Sequence, residues 1–412
     1  MNFEIFVSKR LASSKNYKNS VSAPIIKIAI IAVILSMVMI LVSVATGTGL
    51  QEKIRDKITS FSGHITVSNF DNNRSEVTLE PIDKNQHFYP DFSELPDVQA
   101  VYPIATKAGV IRTSETFEGV IFKGVEANYH WQYLEEYLTA GRLPVFEKEG
   151  MSNEVLLSEY MANRLKIKVG DKVQTYFLKS SENEMPFVRS FEVVGLYTSG
   201  MEQFDQSIVI GDLRHIQRMN KWSSDQIGAF EMIVSDFDRI DEISDNVYTH
   251  IPSELNTTPI TEKYYNIFKW LELFDTNIYI ILSLMILVAT INMVVALLVL
   301  ILERTRMIGI MKSFGVKNWS IRKIFLFQAT YILLRGLFWG NLIGIGLLLI
   351  QKYYGIITLD PAQYYVKEAP VNIQVVHIVW VNLAFILICY VIMIVPSYII
   401  TNIKPVQSIK RD

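Results

Sequence analysis

Four apolar runs decide most of what this chain can become. Residues 25–46, 278–302, 325–351 and 375–400 are almost free of charge and each holds about 20 or more residues. That length crosses a hydrocarbon core of ~30 Å as a helix. Inside a bilayer the backbone must satisfy its own hydrogen bonds, so each run is expected to be helical. The spacing is uneven, one run and then three, with residues 47–277 between the first and second. The first run is long and lies well inside the chain, and small-residue cleavage chemistry is weak after it, so it reads as a retained span.

Basic residues beside the runs set the orientation. Lys9, Arg10, Lys15, Lys18 and Lys27 precede the first or stand at its edge. Arg304, Arg306, Lys312, Lys317, Arg322 and Lys323 lie between the second and third, and Lys404, Lys410 and Arg411 follow the fourth. The link between the third and fourth has Lys352 and Lys367, offset by Asp360 and Glu368. Excess Lys and Arg stay in the cytoplasm. The expected layout is a cytoplasmic amphipathic lead (1–24), span one (25–46), a large outer domain with stalk helices (47–277), span two (278–302), a cytoplasmic link (303–324), span three (325–351), an outer loop (352–374), span four (375–400) and a cytoplasmic tail (401–412). The one cysteine, Cys389, lies in span four, so the outer domain builds its core without a disulfide.

The outer segment changes character. HITVSNF, VQAVYPI, GVIFKGV, NEVLL, KVQTYFL, SFEVVGLY and SIVIGDL carry the β-branched and aromatic content of strands. SEYMANRLKI, GDLRHIQRMN and DRIDEISDNVYTHI read as helices, with a turn at Gly170-Asp171 and a loop over 252–259. The fold class expected is thus a membrane protein with four transmembrane helices and a large α+β extracytoplasmic domain inserted between spans one and two. TEKYYNIFKWLELFDTN, just before span two, is amphipathic and rich in aromatics. It fits a stalk helix at the headgroup level or a lining for an apolar substrate.

The link ERTRMIGIMKSFGVKNWSIRKIF carries an apolar stripe, Met307, Ile310, Met311 and Phe314, at helical spacing. Gly315 is placed to end that helix in a left-handed conformation, and Asn318 to cap the next. By composition alone, a basic amphipathic helix of this kind lies on anionic lipid or meets a partner. In span three Gly336, Gly340, Gly344 and Gly346 are expected to pack on another helix. Asn292 and Asn382 are expected to hydrogen-bond between helices. Arg335 in that span fits snorkelling, a later start of the span, or a contact with Asn292 or Asn341.

Residues 303–315, ERTRMIGIMKSFG, resemble the coupling-helix segment of the ABC permease superfamily that includes the MacB macrolide-exporter type, the FtsX cell-division type and the lipoprotein-releasing LolC/LolE type. KRLASSKNYKNSVSAPIIKIAIIAVILSMVMILVSVATGTGLQEKIRDKITSFSGHITV, LTAGRLP with NEVLLSEYMANRLKIKVGDKV, RSFEVVGLYTSGMEQFDQSIVIGDLRHIQ, and LDPAQYYVKEAPVNI resemble the lipoprotein-releasing branch in particular. The resemblance implies that Glu303, Arg304, Arg306, Met307, Ile308, Ile310, Met311, Lys312, Phe314 and Gly315 meet an ATPase subunit present in two copies. ATP and Mg would be bound by that partner and not by this chain. A second permease copy or paralogue would complete the membrane unit, a lipoprotein would be the substrate and a periplasmic carrier its recipient. All of this would take place in the bacterial inner membrane. Gly47, Gly49, Leu50, Trp270, Leu271, Phe274, Ile278, Met285 and Met293 would line the substrate path, although core packing explains the methionines equally well. Glu184, Met185, Pro186 and Phe187 stand where a carrier-holding hairpin would be, and the segment is short for one.

Absences bound the chemistry. The sequence has no G-x-x-x-x-G-K-[ST], no Cys/His set at metal spacing, and no Ser/His/Asp arrangement. His64, His87, His130, His215, His250 and His377 are scattered. The expectation is a transport subunit and not an enzyme. The alternatives are an efflux permease with a periplasmic adaptor, a regulator of a cell-wall hydrolase that moves nothing, and a sensor or scaffold with no ATPase.

Overall fold

A computed structural model describes residues 4, 6–8, 22–72, 75–146, 150–178 and 186–403. The chain divides into two compact units, and it passes between them within its long helices and in the loop before the last span. Met1–Gln51, Leu271–Thr358 and Glu368–Asp412 make a helical unit; Glu52–Trp270 with Leu359–Lys367 make a sheet unit.

Helix α1, Ser22–Ser62, is 41 residues long, which at 1.5 Å per residue is about 60 Å. That is about twice the hydrocarbon thickness, so the polar run after Thr46 prolongs the same helix. The other helices in the order used below are α2 (Glu159–Leu165), α3 (Arg214–Asn220), α4 (Ile240–His250), α5 (Tyr265–Glu303), α6 (Thr305–Ser313), α7 (Asn318–Tyr354) and α8 (Val375–Ser397). Among the described residues four helices, α1, α5, α7 and α8, are long and apolar enough to cross a membrane. From Tyr265 onward the aromatic run before span two and the span itself are one continuous helix, α5, and Tyr264 stands at the break before it.

In the helical unit Val33, Met37 and Ile40 of α1 share a core with Ala289 and Met293 of α5, Phe325 and Leu333 of α7, and Phe385 and Cys389 of α8. Close packing replaces the hydrophobic effect between helices in lipid. A methyl group at Gly336, Gly340 or Gly344 would fall 2.6 Å from Val33, 2.8 Å from Met37 or 2.9 Å from Leu41. Those three glycines therefore let α7 sit directly on α1, whereas Gly346 faces open space. Asn341 and Asn382 exchange side-chain amide bonds at 2.8 and 2.9 Å, joining α7 to α8. Asn292 instead donates to the Val288 carbonyl of its own helix. Arg335 lies on the exposed side of α7, 4.5 Å over the Tyr331 ring, and not with either asparagine.

The sheet unit is built on strands β1 (Ile65–Asn69), β2 (Ile82–Asp83), β3 (Val98–Arg112), β4 (Phe117–Val125), β5 (Leu138–Gly141), β6 (Glu154–Ser158), β7 (Lys172–Phe177), β8 (Phe187–Tyr197), β9 (Ile208–Asp212), β10 (Gln226–Ile227), β11 (Ala229–Val234) and β12 (Leu255–Pro259). The main sheet runs β12-β1-β11-β3-β4-β9-β6-β8-β5, with β7 paired to β3 and β8. Pairings β4–β9 and β6–β8 are parallel, and the other main-sheet ladders are antiparallel. The seven segments read as strands all fall on strands. Ser158 starts α2 by accepting from the Met161 amide at 3.1 Å. Helix α4 buries Ile240, Ile243 and Val247 on one face. Gly170 turns between α2 and β7 at φ +94°. One expectation is corrected: 252–259 is not all loop, because Leu255–Pro259 adds to β1 as an edge strand in the register Ile65↔Pro259 to Asn69↔Leu255. An edge position tolerates proline, and LNTTP has no apolar alternation to announce it.

Candidate functional site: an amphipathic link and two gripped helix ends

The link between α5 and α7 folds as α6 and ends at Gly315, whose φ is +80°. Its inner side is Ile308, fully buried, with Met307 and Met311 partly covered by the helical unit. Lys312 belongs to that side as well. Its Nζ donates to the carbonyls of Ile400, Ile403 and Thr401 at 2.6, 2.8 and 3.2 Å. These are last-turn carbonyls after α8, which have no partner within a helix, and a cation there also meets the negative end of the dipole. Burial pushes the Lys312 amine down from its usual range, and nearby Arg322 pushes it further. Arg322 reaches the Thr401 hydroxyl and lies 3.8 Å over the Tyr398 ring. The outer side of α6 presents Arg306, Ile310 and Phe314, one turn apart, with Phe314 84 % exposed. Thus the apolar stripe read from the sequence is split: Met307 and Met311 hold the helix down, while Ile310 and Phe314 face away. Glu303 is the last residue of α5 and Arg304 precedes α6. Asn318 does not cap α7. It is the first helical residue, and Lys317 takes the cap position in extended conformation with no side-chain bond.

The outer end of α1 is gripped in the sheet unit. The helix stops at Gly63, φ +65°, whose amide returns to the Thr59 carbonyl at 2.8 Å. Lys123 of β4, 3 % exposed, donates to the Phe61 carbonyl at 2.6 Å, to the Tyr129 hydroxyl at 2.8 Å, and to both carboxylate oxygens of Glu231 at 2.6 and 2.8 Å. Tyr129 donates to Glu231 at 2.9 Å. The His130 Nε2 meets the Ser60 carbonyl at 3.1 Å. Burial pushes the Lys123 amine down while Glu231 opposes it, and burial holds the Tyr129 phenol well above its usual value. Burial also lowers His130 and His64 to about 4. A buried charge persists only when paired and hydrogen-bonded, and this one has three partner groups. The sequence alone does not single out Lys123 and Glu231. The available signal was a lone charge inside each of the apolar strands GVIFKGV and AFEMIV.

The residues proposed to line a substrate path are scattered in burial. A methyl at Gly47 would fall 2.4 Å from Ile278, and one at Gly49 would fall 2.9 Å from the backbone at Pro370 and Asn372. These glycines therefore admit close neighbours. Leu50, Leu271 and Met293 are buried, the last completely. Phe274, Ile278 and Met285 are partly covered, and Trp270 meets the Tyr365 ring edge-on at 5.7 Å. At the β7–β8 hairpin, Phe187 opposes Phe177 and Pro186 is exposed; Glu184 and Met185 lie outside the described residues.

Known proteins match the chain in two parts. A family model described as the MacB-like periplasmic core domain matches residues 28–248, and one described as the FtsX-like permease C-terminal matches 279–405. The lipoprotein-releasing system transmembrane protein LolC of Xylella fastidiosa is 21% identical over 397 residues, 93% of each chain. The corresponding LolE of Haemophilus influenzae is 22% identical over 420 residues, 99% of each chain. The chain belongs to the LolC/LolE-like permease family, within the MacB/FtsX-type superfamily. Among solved structures, the periplasmic region of MacB from Actinobacillus actinomycetemcomitans is similar at 16% identity with a TM-score of 0.33, covering 49% of this chain and 91% of that one.

As a LolC/LolE-like permease, the chain is a multi-pass protein of the bacterial inner membrane with a periplasmic domain. In this family member the FtsX-like part contains α6 and the Lys312 contacts, and the MacB-like part contains α1 from residue 28, Lys123 and Glu231.

Proposed function

We propose that this chain is the permease subunit of an ABC-type lipoprotein-releasing complex. A separate ATPase, present in two copies, would dock on α6; a second permease copy or paralogue would complete the membrane part. Lipoproteins would be drawn from the outer leaflet of the inner membrane and passed to a periplasmic carrier. The observation that carries this reading is the two-sided build of α6. Its inner side is fastened by Ile308 and Lys312, and its outer side offers Arg306, Ile310 and Phe314 to a partner. Near full-length similarity to LolC and LolE relatives supports the choice of cargo.

Extraction follows from the cargo's chemistry. Each CH₂ of a lipid anchor favours an apolar setting by about 0.8 kcal/mol, so the anchor stays in apolar surroundings and enters sideways between spans. A push on α6 is delivered to the outer domain along α1 and α5, each an unbroken helix from the membrane part into the sheet unit. The Lys123–Glu231 joint fixes the last turn of α1 to β4 and β11, so motion of α1 is passed to the sheet. The chain would hydrolyse nothing itself; ATP and Mg would be the partner's.

Depletion of the protein, followed by fractionation of the two membranes, tests the reading. Lipoproteins retained in the inner membrane support it. Normal sorting with drug hypersensitivity points to an efflux permease, and normal sorting with defective wall cleavage points to a hydrolase regulator.

A further inference from the structure

Two sequence segments far apart in the chain meet at one lysine. The first is the turn Ser199–Asp205. The Asp205 carboxylate accepts from the Ser199 amide and hydroxyl at 2.8 and 2.7 Å and from the Gly200 amide at 2.9 Å. The second is the loop Leu359–Lys367, which packs with the sheet unit although Thr358 and Glu368 on either side of it belong to the helical unit. Lys57, near the outer end of α1, donates from Nζ to the Tyr365 carbonyl at 2.5 Å. Gly200 flanks the same ammonium group: at φ +72° a methyl there would fall 3.2 Å from Nζ and 3.4 Å from the Tyr365 oxygen. Asp205 attracts the Lys57 charge, and the Tyr137 ring lies 5.9 Å from it.

Tyr365 is itself unusual. Its φ is +59°, a left-handed conformation that a tyrosine adopts only where its surroundings compel it. Its amide closes a turn onto the Pro361 carbonyl at 3.0 Å, its ring meets Trp270, and its carbonyl accepts the hydrogen bond from Lys57. The Lys57 ammonium is thus bonded to the twisted tyrosine on one side, while the Asp205-braced turn flanks it on the other and the Asp205 charge attracts it.

We infer that Lys57 is a positioning residue that fastens the loop 359–367 to the Ser199–Asp205 turn and to α1, so that the loop moves with the outer domain and not with the spans on either side of it. This rests on the lipoprotein-releasing reading for its functional consequence, but the fastening itself does not. During a transport cycle the loop would follow α1, and its flanks at Thr358 and Glu368, which pair as an antiparallel bridge, would absorb the displacement.

The test uses the full-length permease with its ATPase partner in liposomes, with Lys57→Met as the variant and Lys57→Arg as the conservative control. Methionine keeps the length of the stem and removes the donor. Lys57→Met is expected to keep ATP hydrolysis within about twofold and to lower release of a fluorescent lipoprotein about tenfold, the scale of one charge-assisted hydrogen bond. Lys57→Arg is expected to restore most of the release. Gly200→Ala, which crowds the same ammonium group, is expected to lower release as well. In parallel, spin labels at Gln203→Cys and Gln363→Cys on a Cys389→Ala background report the distance from turn to loop. A single narrow distribution that broadens in Lys57→Met supports the fastening; an unchanged distribution overturns it. If the unsubstituted protein releases no lipoprotein, the transport reading fails, and the spin-label distances still decide the role of Lys57.

Discussion

Two helix ends in this protein are each held by a lysine, and they are held differently. Lys123 grips the outer end of α1 from inside the sheet unit, with Glu231, Tyr129 and the Phe61 carbonyl all around it and almost no water access. Lys312 grips the carbonyls after α8 at the edge of the helical unit, half covered, with three carbonyl partners. The first is a joint whose parts cannot be separated cheaply, because breaking it strands a charge in a low-dielectric interior. The second can exchange carbonyls for water at small cost. On the reading proposed above, the durable joint would stand where motion is delivered and the remakeable one beside the helix on which a partner would dock.

Acid is expected to act most strongly, and on the sheet unit. His64 accepts from the Val234 amide at Nδ1, and His130 has its Nδ1 buried with no partner, so neither site welcomes a second proton. Burial holds both at about 4 against an ordinary value near 6.5. Between those limits the unfolded chain binds protons that the folded chain refuses. Stability is therefore full above about pH 6.5 and falls as the pH drops toward 4, by up to ~3 kcal/mol per histidine. Thermal unfolding of the detergent-solubilised protein from pH 7.5 to 4.5 should show the sheet unit melting first. A fall confined to the helical unit would contradict it. Next in size, Lys123→Met should cost about 3–5 kcal/mol by leaving Glu231 unpaired. Lys123→Met with Glu231→Leu should recover most of that; if the double variant is no better than the single, the joint is held by something other than the ion pair.

The four spans, the strands over 65–69, 119–125 and 208–212, and the left-handed Gly315 are legible in the sequence, because length, periodicity and turn chemistry are local signals. The joint is not, because Lys123 and Glu231 are 108 residues apart and become a pair only through the register that sets β11 against β3 and β4 beyond it. The same limit applies to α6. Its period is visible, but which stripe faces inward depends on the carbonyls after α8 that Lys312 finds.

Smaller effects are expected at the link. Lys312→Met should cost only about 1 kcal/mol, since water can reach the freed carbonyls. Limited proteolysis should then cut sooner near residues 399–403, with the melting of the sheet unit unchanged. Phe314→Ser and Arg306→Glu should change stability by less than about 0.5 kcal/mol, both being exposed. Both should nonetheless abolish co-purification of the ATPase with the permease. Retained co-purification would place the docking surface elsewhere.

The reciprocal amide pair of Asn341 and Asn382 has a further consequence. Each asparagine both gives and takes, and each also donates to a carbonyl of its own helix. Sliding α7 past α8 by a single residue would strip both amides of their mates in a solvent that offers no replacement. The last two spans are thereby held in register, and on the transport reading proposed above a stroke would be made by the first two spans moving against that pair.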